Sequence, residues 1–261
     1  MKQLFKQILI TIFPSLLRRK FFALAYDIVP LDSRVKRKVI DMNWSIENLS
    51  RLGFSPDLVI DIGAYVGDWT RMVSRTFNDS RLLMLEAQKG KRAYLEKVIE
   101  EVGPRAEFRI GLLGPEEKEA VTFFEMETGS SVLEENTSYN RKKVEIPMKT
   151  LDSVFSDYKG DEKFSNIFLK LDTQGFEVEV LKGASETLEN VEFILLELST
   201  LNFNKGAPLF QEVSSFLFEK GFLLFDIADI TRKETDLALM QFDAIFVNKN
   251  SEIRNKVNKF D

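Results

Sequence analysis

The sequence predicts an α/β fold: a doubly wound, mostly parallel sheet with helices on both faces. Three observations carry this. Short apolar runs rich in β-branched residues alternate with helical stretches from Leu58 to Val247. The runs are apolar throughout, as in strands buried on both faces. Near the end, two strand-like runs follow one another without a helix, which predicts one antiparallel partner strand. At 261 residues, 44% hydrophobic and 30% charged, the chain is long enough for one such domain and an extension.

The elements follow in order. Asp32-Ser33 is placed to cap a helix running to about Leu52, because Val35, Val39, Met42, Ile46 and Leu49 fall on one helical face. Gly53 stops it and Ser55-Pro56 marks a break. Residues 1–53 are therefore read as a helical extension, 54–250 as the main domain and 251–261 as a tail. Leu58–Ile62 is the first strand, Asp68 to Phe77 a helix, Arg81–Leu85 a strand, Lys91–Val102 a helix and Glu107–Ile110 a strand. The rhythm then changes: Ala120–Phe124 and Val144–Met148 read as strands around a polar, aperiodic loop, and Leu151–Tyr158 as a short helix. Alternation resumes with strand Ile167–Leu171, helix Glu177–Leu188, strand Glu192–Leu198 and helix Pro208–Lys220. Strands Phe222–Ile227 and Asp243–Val247 close the domain.

Composition removes whole classes of chemistry. The chain has no cysteine and no histidine, which excludes Ser/His/Asp and Cys/His nucleophiles, thiol redox chemistry, disulfides and zinc sites built on those ligands. A metal would have to be held by carboxylates alone, and no metal is expected. A general base must be Asp, Glu, Lys or Tyr. The net charge of −5 hides an asymmetry. Residues 1–40 hold nine Lys/Arg against Asp27 and Asp32, a balance of +7, so the rest carries −12. An acidic body lacks the basic stripe that nucleic acid requires, so no nucleic-acid partner is expected.

The N-terminal arm, MKQLFKQILITIFPSLLRRK, has an apolar stretch from Ile8 to Leu17 that ends in Arg18-Arg19-Lys20 rather than a cleavage site. It is too short to span a bilayer. It reads as an interrupted helix that docks on its own chain or on a second subunit in a homodimer. The other reading is peripheral attachment to an anionic membrane, since cations flank its apolar face. The expected location is cytoplasmic, at most peripheral to the inner membrane face.

In an open α/β sheet, ligands sit beyond the carboxyl ends of the strands. After the first strand comes Asp61-Ile62-Gly63-Ala64-Tyr65-Val66-Gly67-Asp68. Gly63 allows a sharp turn, and Gly67 lets the next helix start close to the sheet. The second strand ends at Glu86, 23 residues past Gly63, where an acid can accept both hydrogens of a ribose diol. Asp61 stands where a dinucleotide fold has its first glycine, and Asp68 opens the helix. Two carboxylates would repel a pyrophosphate but suit a cationic ligand with an amino-acid tail, such as S-adenosylmethionine. A nucleotide-cofactor oxidoreductase of NAD type is the alternative, against which the missing Gly-x-Gly-x-x-Gly counts; a non-catalytic S-adenosylmethionine-binding protein is another.

The segments VIDIGAYVGDWT, LLMLEAQ, FLKLDTQGFEVEVLKGA, FILLELS and QFDAIFVN resemble the FkbM family of S-adenosylmethionine-dependent methyltransferases, from about Leu58 to Asn248. The resemblance implies a class I methyltransferase fold, Rossmann-like and seven-stranded. It also implies O-methylation of a small-molecule or glycan acceptor: a sugar, a polysaccharide or a glycosylated natural product. Carried over, Asp61, Gly63 and Gly67 shape the donor pocket, with Ala64 and Ala87 beside them, and Glu86 holds the ribose. Asp172 and Glu177 line the active site.

Each of these residues has a plainer reading. Asp61 could cap a loop, Glu86 could be a solvated strand end, Asp172 a helix cap and Glu177 a first-turn acid facing the helix dipole. Lys170 precedes Asp172 by two, so both point to one side of a strand, as a substrate contact or a structural ion pair. Ser130 and Ser131, beside Gly129 in the aperiodic loop, suit a substrate loop. The Asn/Asp-Pro-Pro-Tyr/Phe motif that grips planar amines is absent; Asp172-Thr173-Gln174-Gly175 stands in its place. That favours a hydroxyl acceptor, with Asp172 as first choice for base and Glu197 as second.

Overall fold

A computed structural model of the chain describes residues 40–136 and 140–259. The chain divides after Ile40, and the architecture below belongs to the unit that begins at Asp41. The sequence reading of the N-terminal arm falls outside the described residues.

The helix expected from Asp32-Ser33 to Leu52 does not run unbroken. Asp41 is extended, and its carboxylate accepts the Trp44 amide at 2.8 Å, so helix α1 (Met42–Arg51) starts there. Its Ile46 and Leu49 are buried against Phe54, Val73 and Phe193. By packing, α1 thus belongs to the domain, whereas the sequence reading put the boundary at Gly53.

The main sheet contains β1 (Leu58–Ile62), β2 (Arg81–Glu86), β3 (Ala106–Ile110), β7 (Ile167–Leu171), β8 (Val191–Ser199), β9 (Phe222–Arg232) and β10 (Leu239–Asn248). Their order is β3-β2-β1-β7-β8-β10-β9. The first five are parallel, and β10 runs antiparallel to both β8 and β9. A second sheet holds β4 (Leu112–Leu113), β5 (Lys118–Glu125) and β6 (Lys142–Lys149) in the order β4-β6-β5. Among the described strands, β4 had no local signal, since two residues are too few for a period.

Helices cover both faces of the main sheet. α2 (Asp68–Thr76) follows β1, α3 (Arg92–Val102) follows β2, and α4 (Leu151–Lys159) precedes β7. The helix expected over Glu177–Leu188 is two: α5 (Glu177–Lys182) and α6 (Ser185–Leu188). The break lies at Gly183, whose carbonyl accepts the Asp152 amide, while the Asp152 carboxylate takes the amides of Glu186 and Thr187. α7 (Phe210–Glu219) precedes β9. The tail carries α8 (Glu252–Val257), started by the Ser251 hydroxyl accepting the Ile253 amide at 3.1 Å.

Period-two alternation divides the strands between two cores. Leu58, Ile60 and Ile62 face one core with Leu169, Leu171, Ile194 and Leu196. Val59, Phe168, Phe193, Leu195 and Ile245 face the other, under α1 and α2. Asp61, Lys170, Glu197 and Asp243 are two residues from members of the second set, so the sheet delivers all four to one face. Among the described residues, no helix is long and apolar enough to cross a membrane.

Candidate active site

The turn after β1 is fixed by its backbone. Gly63 has φ of 75°, and a Cβ there would stand 1.9 Å from the Asp172 carbonyl oxygen. β1 and β7 therefore meet backbone to backbone at their carboxyl ends, where the Asp172 amide also donates to the Ile62 carbonyl at 3.0 Å. The amides of Gly63 and Ala64 both donate to the Leu85 carbonyl, which pulls the turn toward β2. Gly67, at φ 80°, caps α2, and a Cβ there would meet Val98 of α3 at 2.4 Å.

Asp61 and Lys170 are register partners on adjacent parallel strands. Asp61 is 1% exposed; its Oδ1 accepts Lys170 Nζ at 3.0 Å and its Oδ2 accepts the Thr70 hydroxyl at 2.6 Å. Lys170 Nζ also donates to the Gly63 carbonyl at 3.3 Å and lies 3.8 Å from Asp172 Oδ2. Burial works against the Lys170 charge, yet Asp61 and Asp172 hold its pKa above the ordinary value. This pair underpins the turn from inside the sheet, and neither member lines the cleft. Of the sequence readings of Lys170, substrate contact or structural ion pair, the geometry shows the ion pair: strand register joins it to Asp61, which was expected on the donor side.

The cleft lies above the carboxyl ends of β1, β2 and β7 and has a cavity volume of about 150 Å³. Gly63, Glu86, Ala87, Ser130 and Asp172 line it, along with Tyr65, Gln88, Glu127 and Gln174, which the sequence reading did not single out. Leu85, Leu112, Leu113, Phe123 and Phe176 form apolar walls. Glu86 ends β2 with its carboxylate accepting the Tyr65 amide at 2.7 Å on Oε2 and the Gln88 amide at 2.8 Å on Oε1. Burial pushes its pKa up, against those two hydrogen bonds. A carboxylate accepts about four hydrogen bonds, so Glu86 keeps capacity for a diol. Apolar walls beside it suit a flat ring.

At the other end, Gln174 Nε2 donates to Asp172 Oδ1 and to Glu197 Oε2, each at 2.9 Å. Gln241 Nε2 donates to the same Glu197 oxygen at 2.9 Å. Gln174 has φ of 55°, unusual for a non-glycine residue. Its carbonyl is held by the Ser131 hydroxyl at 3.0 Å and by Asn204 Nδ2 at 2.6 Å. Glu197 pairs across strands with Asp243, and Asp243 with Asp229. Burial and the nearby Asp172 and Asp243 push the Glu197 pKa up to about 9; burial, Asp172 and Asp229 push that of Asp243 up to about 7. Glu197, the second choice for base in the sequence reading, is thus held by Gln174 and Gln241 beside Asp172, in surroundings that favour its protonated form.

Of the remaining expected contacts, Glu177, Ser131, Ala64 and Gly67 lie behind the cleft wall. The Glu177 Oε1 accepts the amides of Thr173 and Gly175 and the Thr173 hydroxyl, so this buried acid braces the 173–175 corner. Burial raises its pKa. Ser131 is likewise taken up by the same corner, and Ala64 and Gly67 support the turn from behind. Ser130 stays on the cleft wall, its hydroxyl closing the loop on the Met126 amide. Among the described residues no group of three acids is placed to hold a metal ion. Gln88 and Gln174 had a local signal, two residues beyond Glu86 and Asp172. Glu127, in an aperiodic loop, had none.

The strand order, the glycine turn after β1 and the acid ending β2 define a class I methyltransferase fold of Rossmann-like type. The Methyltransferase FkbM domain model matches residues 61–224, more than half of the chain, and the chain belongs to that family. No curated protein matches it significantly. Among solved structures, it is similar to an FkbM methyltransferase from Methylobacillus flagellatus KT, at 13% identity and a TM-score of 0.46. The match covers 73% of this chain and 43% of that one, so the chain spans less than half its length. A precorrin-6y C5,15-methyltransferase from Geobacter metallireducens GS-15 matches at 12% identity and TM-score 0.45, covering 80% and 90% of the two chains. A magnesium protoporphyrin IX methyltransferase from Synechocystis PCC 6803 matches at 10% and 0.44, covering 79% of each.

Proposed function

We propose that the protein is an O-methyltransferase that takes its methyl group from S-adenosylmethionine and delivers it to a hydroxyl of a sugar, polysaccharide or glycosylated natural product. The observation that carries the reading is that Glu86 and Asp172 line the same cleft. Glu86, oriented by two backbone amides, would hold the ribose diol, with the adenine against Ala87, Leu112 and Phe123. The Gly63 turn, without a Cβ, lets the β1 and β7 ends meet and so brings Asp172 to the donor side of the cleft.

The donor supplies an already activated methyl group on a sulfonium. The chain's share is to align the acceptor oxygen in line with that methyl and to receive the hydroxyl proton. Asp172 Oδ1 is occupied by Gln174, and Oδ2, which has no hydrogen-bond donor among the described residues but lies 3.8 Å from Lys170 Nζ, would face an acceptor hydroxyl. An oxygen–carbon bond forms, the carbon–sulfur bond breaks, and the proton passes to Asp172. The hydroxyl specificity rests on the absence of the amine-gripping motif at 172–175, and the sugar class on the family resemblance. The test is transfer of labelled methyl from S-adenosylmethionine to a panel of mono- and oligosaccharides, with planar amines as the contrasting set. Label in a sugar ether supports the reading; label on the amines overturns it. With a sugar acceptor in hand, Asp172→Asn lowers turnover about 10²–10⁴-fold with donor affinity little changed.

A further inference from the structure

A charged cluster at the rim of the cleft has no part in that scheme. Glu127 Oε2 accepts both the Tyr65 hydroxyl and Lys91 Nζ, each at 2.6 Å. The Lys91 ammonium also lies 4.1 Å from the centre of the Tyr65 ring. Gln88 Nε2 donates to the Glu127 carbonyl at 3.0 Å. Glu127 has φ of 38°, a left-handed backbone that a glutamate adopts only when its surroundings hold it there. The three partners come from different places: the β1–α2 turn, the end of β2 and the start of α3.

The same two residues meet Glu86. Tyr65 and Gln88 hold the Glu86 carboxylate by their backbone amides and hold Glu127 by their side chains. Glu127, Thr128 and Ser130 line the cleft on the side where Glu86 stands. We propose that Glu127 is a positioning residue that retains the methyl donor: through Tyr65 and Gln88 it fixes Glu86, and with Lys91 it clasps residues 127–130 across the ribose end of the cleft. Exchange of donor and demethylated product then requires the clasp to open. The inference rests on the donor-site reading above. The clasp is also salt-sensitive, because the Glu127 side chain is 74% exposed while Lys91 is 11% exposed.

The test measures dissociation of S-adenosylhomocysteine from the full chain by stopped flow, for wild type, Glu127→Gln, Lys91→Met and the double variant. Each single variant is expected to release it roughly threefold to tenfold faster. The double is expected to be no faster than the faster single, since both remove one interaction. Raising salt from about 0.05 M to about 0.5 M should speed release from wild type and leave Glu127→Gln nearly unmoved. Release from both singles within about twofold of wild type overturns the clasp, as do effects that multiply in the double. Thermal melts check folding, and Tyr65→Phe takes the place of any variant that does not fold. If wild type does not bind the product at all, the donor-site reading falls and the clasp with it.

Discussion

Replacing Glu197 by glutamine should make the protein more stable at alkaline pH and leave it unchanged in acid. Glutamine keeps the shape, and its carbonyl oxygen still accepts the Nε2 groups of Gln174 and Gln241. What it removes is a carboxyl whose folded pKa stands at about 9 against an ordinary value of 4.5. The sign follows from linkage. The folded state keeps a proton that the unfolded chain releases, so the stabilisation is complete below about 4.5 and is lost as pH rises through about 9. Where folded and unfolded states differ by one whole proton, stability falls by about 1.4 kcal/mol per pH unit. Three such units, from pH 5 to pH 8, set a ceiling near 4 kcal/mol, and relaxation around the partly buried group brings the expected gain to about 2–4 kcal/mol. For a domain of this size that is roughly 5–15 °C in melting temperature. Asp243, raised to about 7, steepens the acid half of the curve in both proteins. The assay is a series of thermal melts of the two proteins between pH 5 and 9. Curves that run parallel across this range would refute the argument, because they would show Glu197 ionising as freely folded as unfolded.

Three further outcomes are expected. Glu86→Gln should weaken S-adenosylhomocysteine binding by roughly 1.5–3 kcal/mol in calorimetry, since a charged acceptor of the diol is lost; unchanged affinity removes Glu86 from the donor site. Lys170→Met should cost about 3–5 kcal/mol in urea unfolding because it strands the buried Asp61 carboxylate, and adding Asp61→Asn should recover part of that; a single-variant loss below about 1 kcal/mol would rule out the ion pair as support of the turn. Gly63→Ala sets a Cβ 1.9 Å from the Asp172 carbonyl oxygen at φ 75°, so β1 and β7 must part, with loss of both product binding and at least about 3 kcal/mol of stability; a variant that melts and binds like wild type contradicts the close approach.

The sequence by itself determined what local pattern determines. Apolar runs such as Leu58–Ile62 and Ile167–Leu171 announced buried strands, and their alternation with helices announced a parallel sheet. Gly63 and Gly67 were legible because a sharp turn needs residues free to adopt positive φ, and Glu86 because its spacing from the turn follows from one strand-helix-strand unit. Tertiary structure decided the partners. Asp61 and Lys170 are 109 positions apart, and only strand register sets them side by side. The Asp172–Gln174–Glu197–Gln241 cluster joins the β7 turn to β8 and β10, and Glu127 reaches Tyr65 and Lys91 from the loop between β5 and β6. A residue's type and near neighbours fix its backbone, but which oppositely charged group it meets, and whether it meets a ligand instead, depends on contacts that form only when distant segments pack.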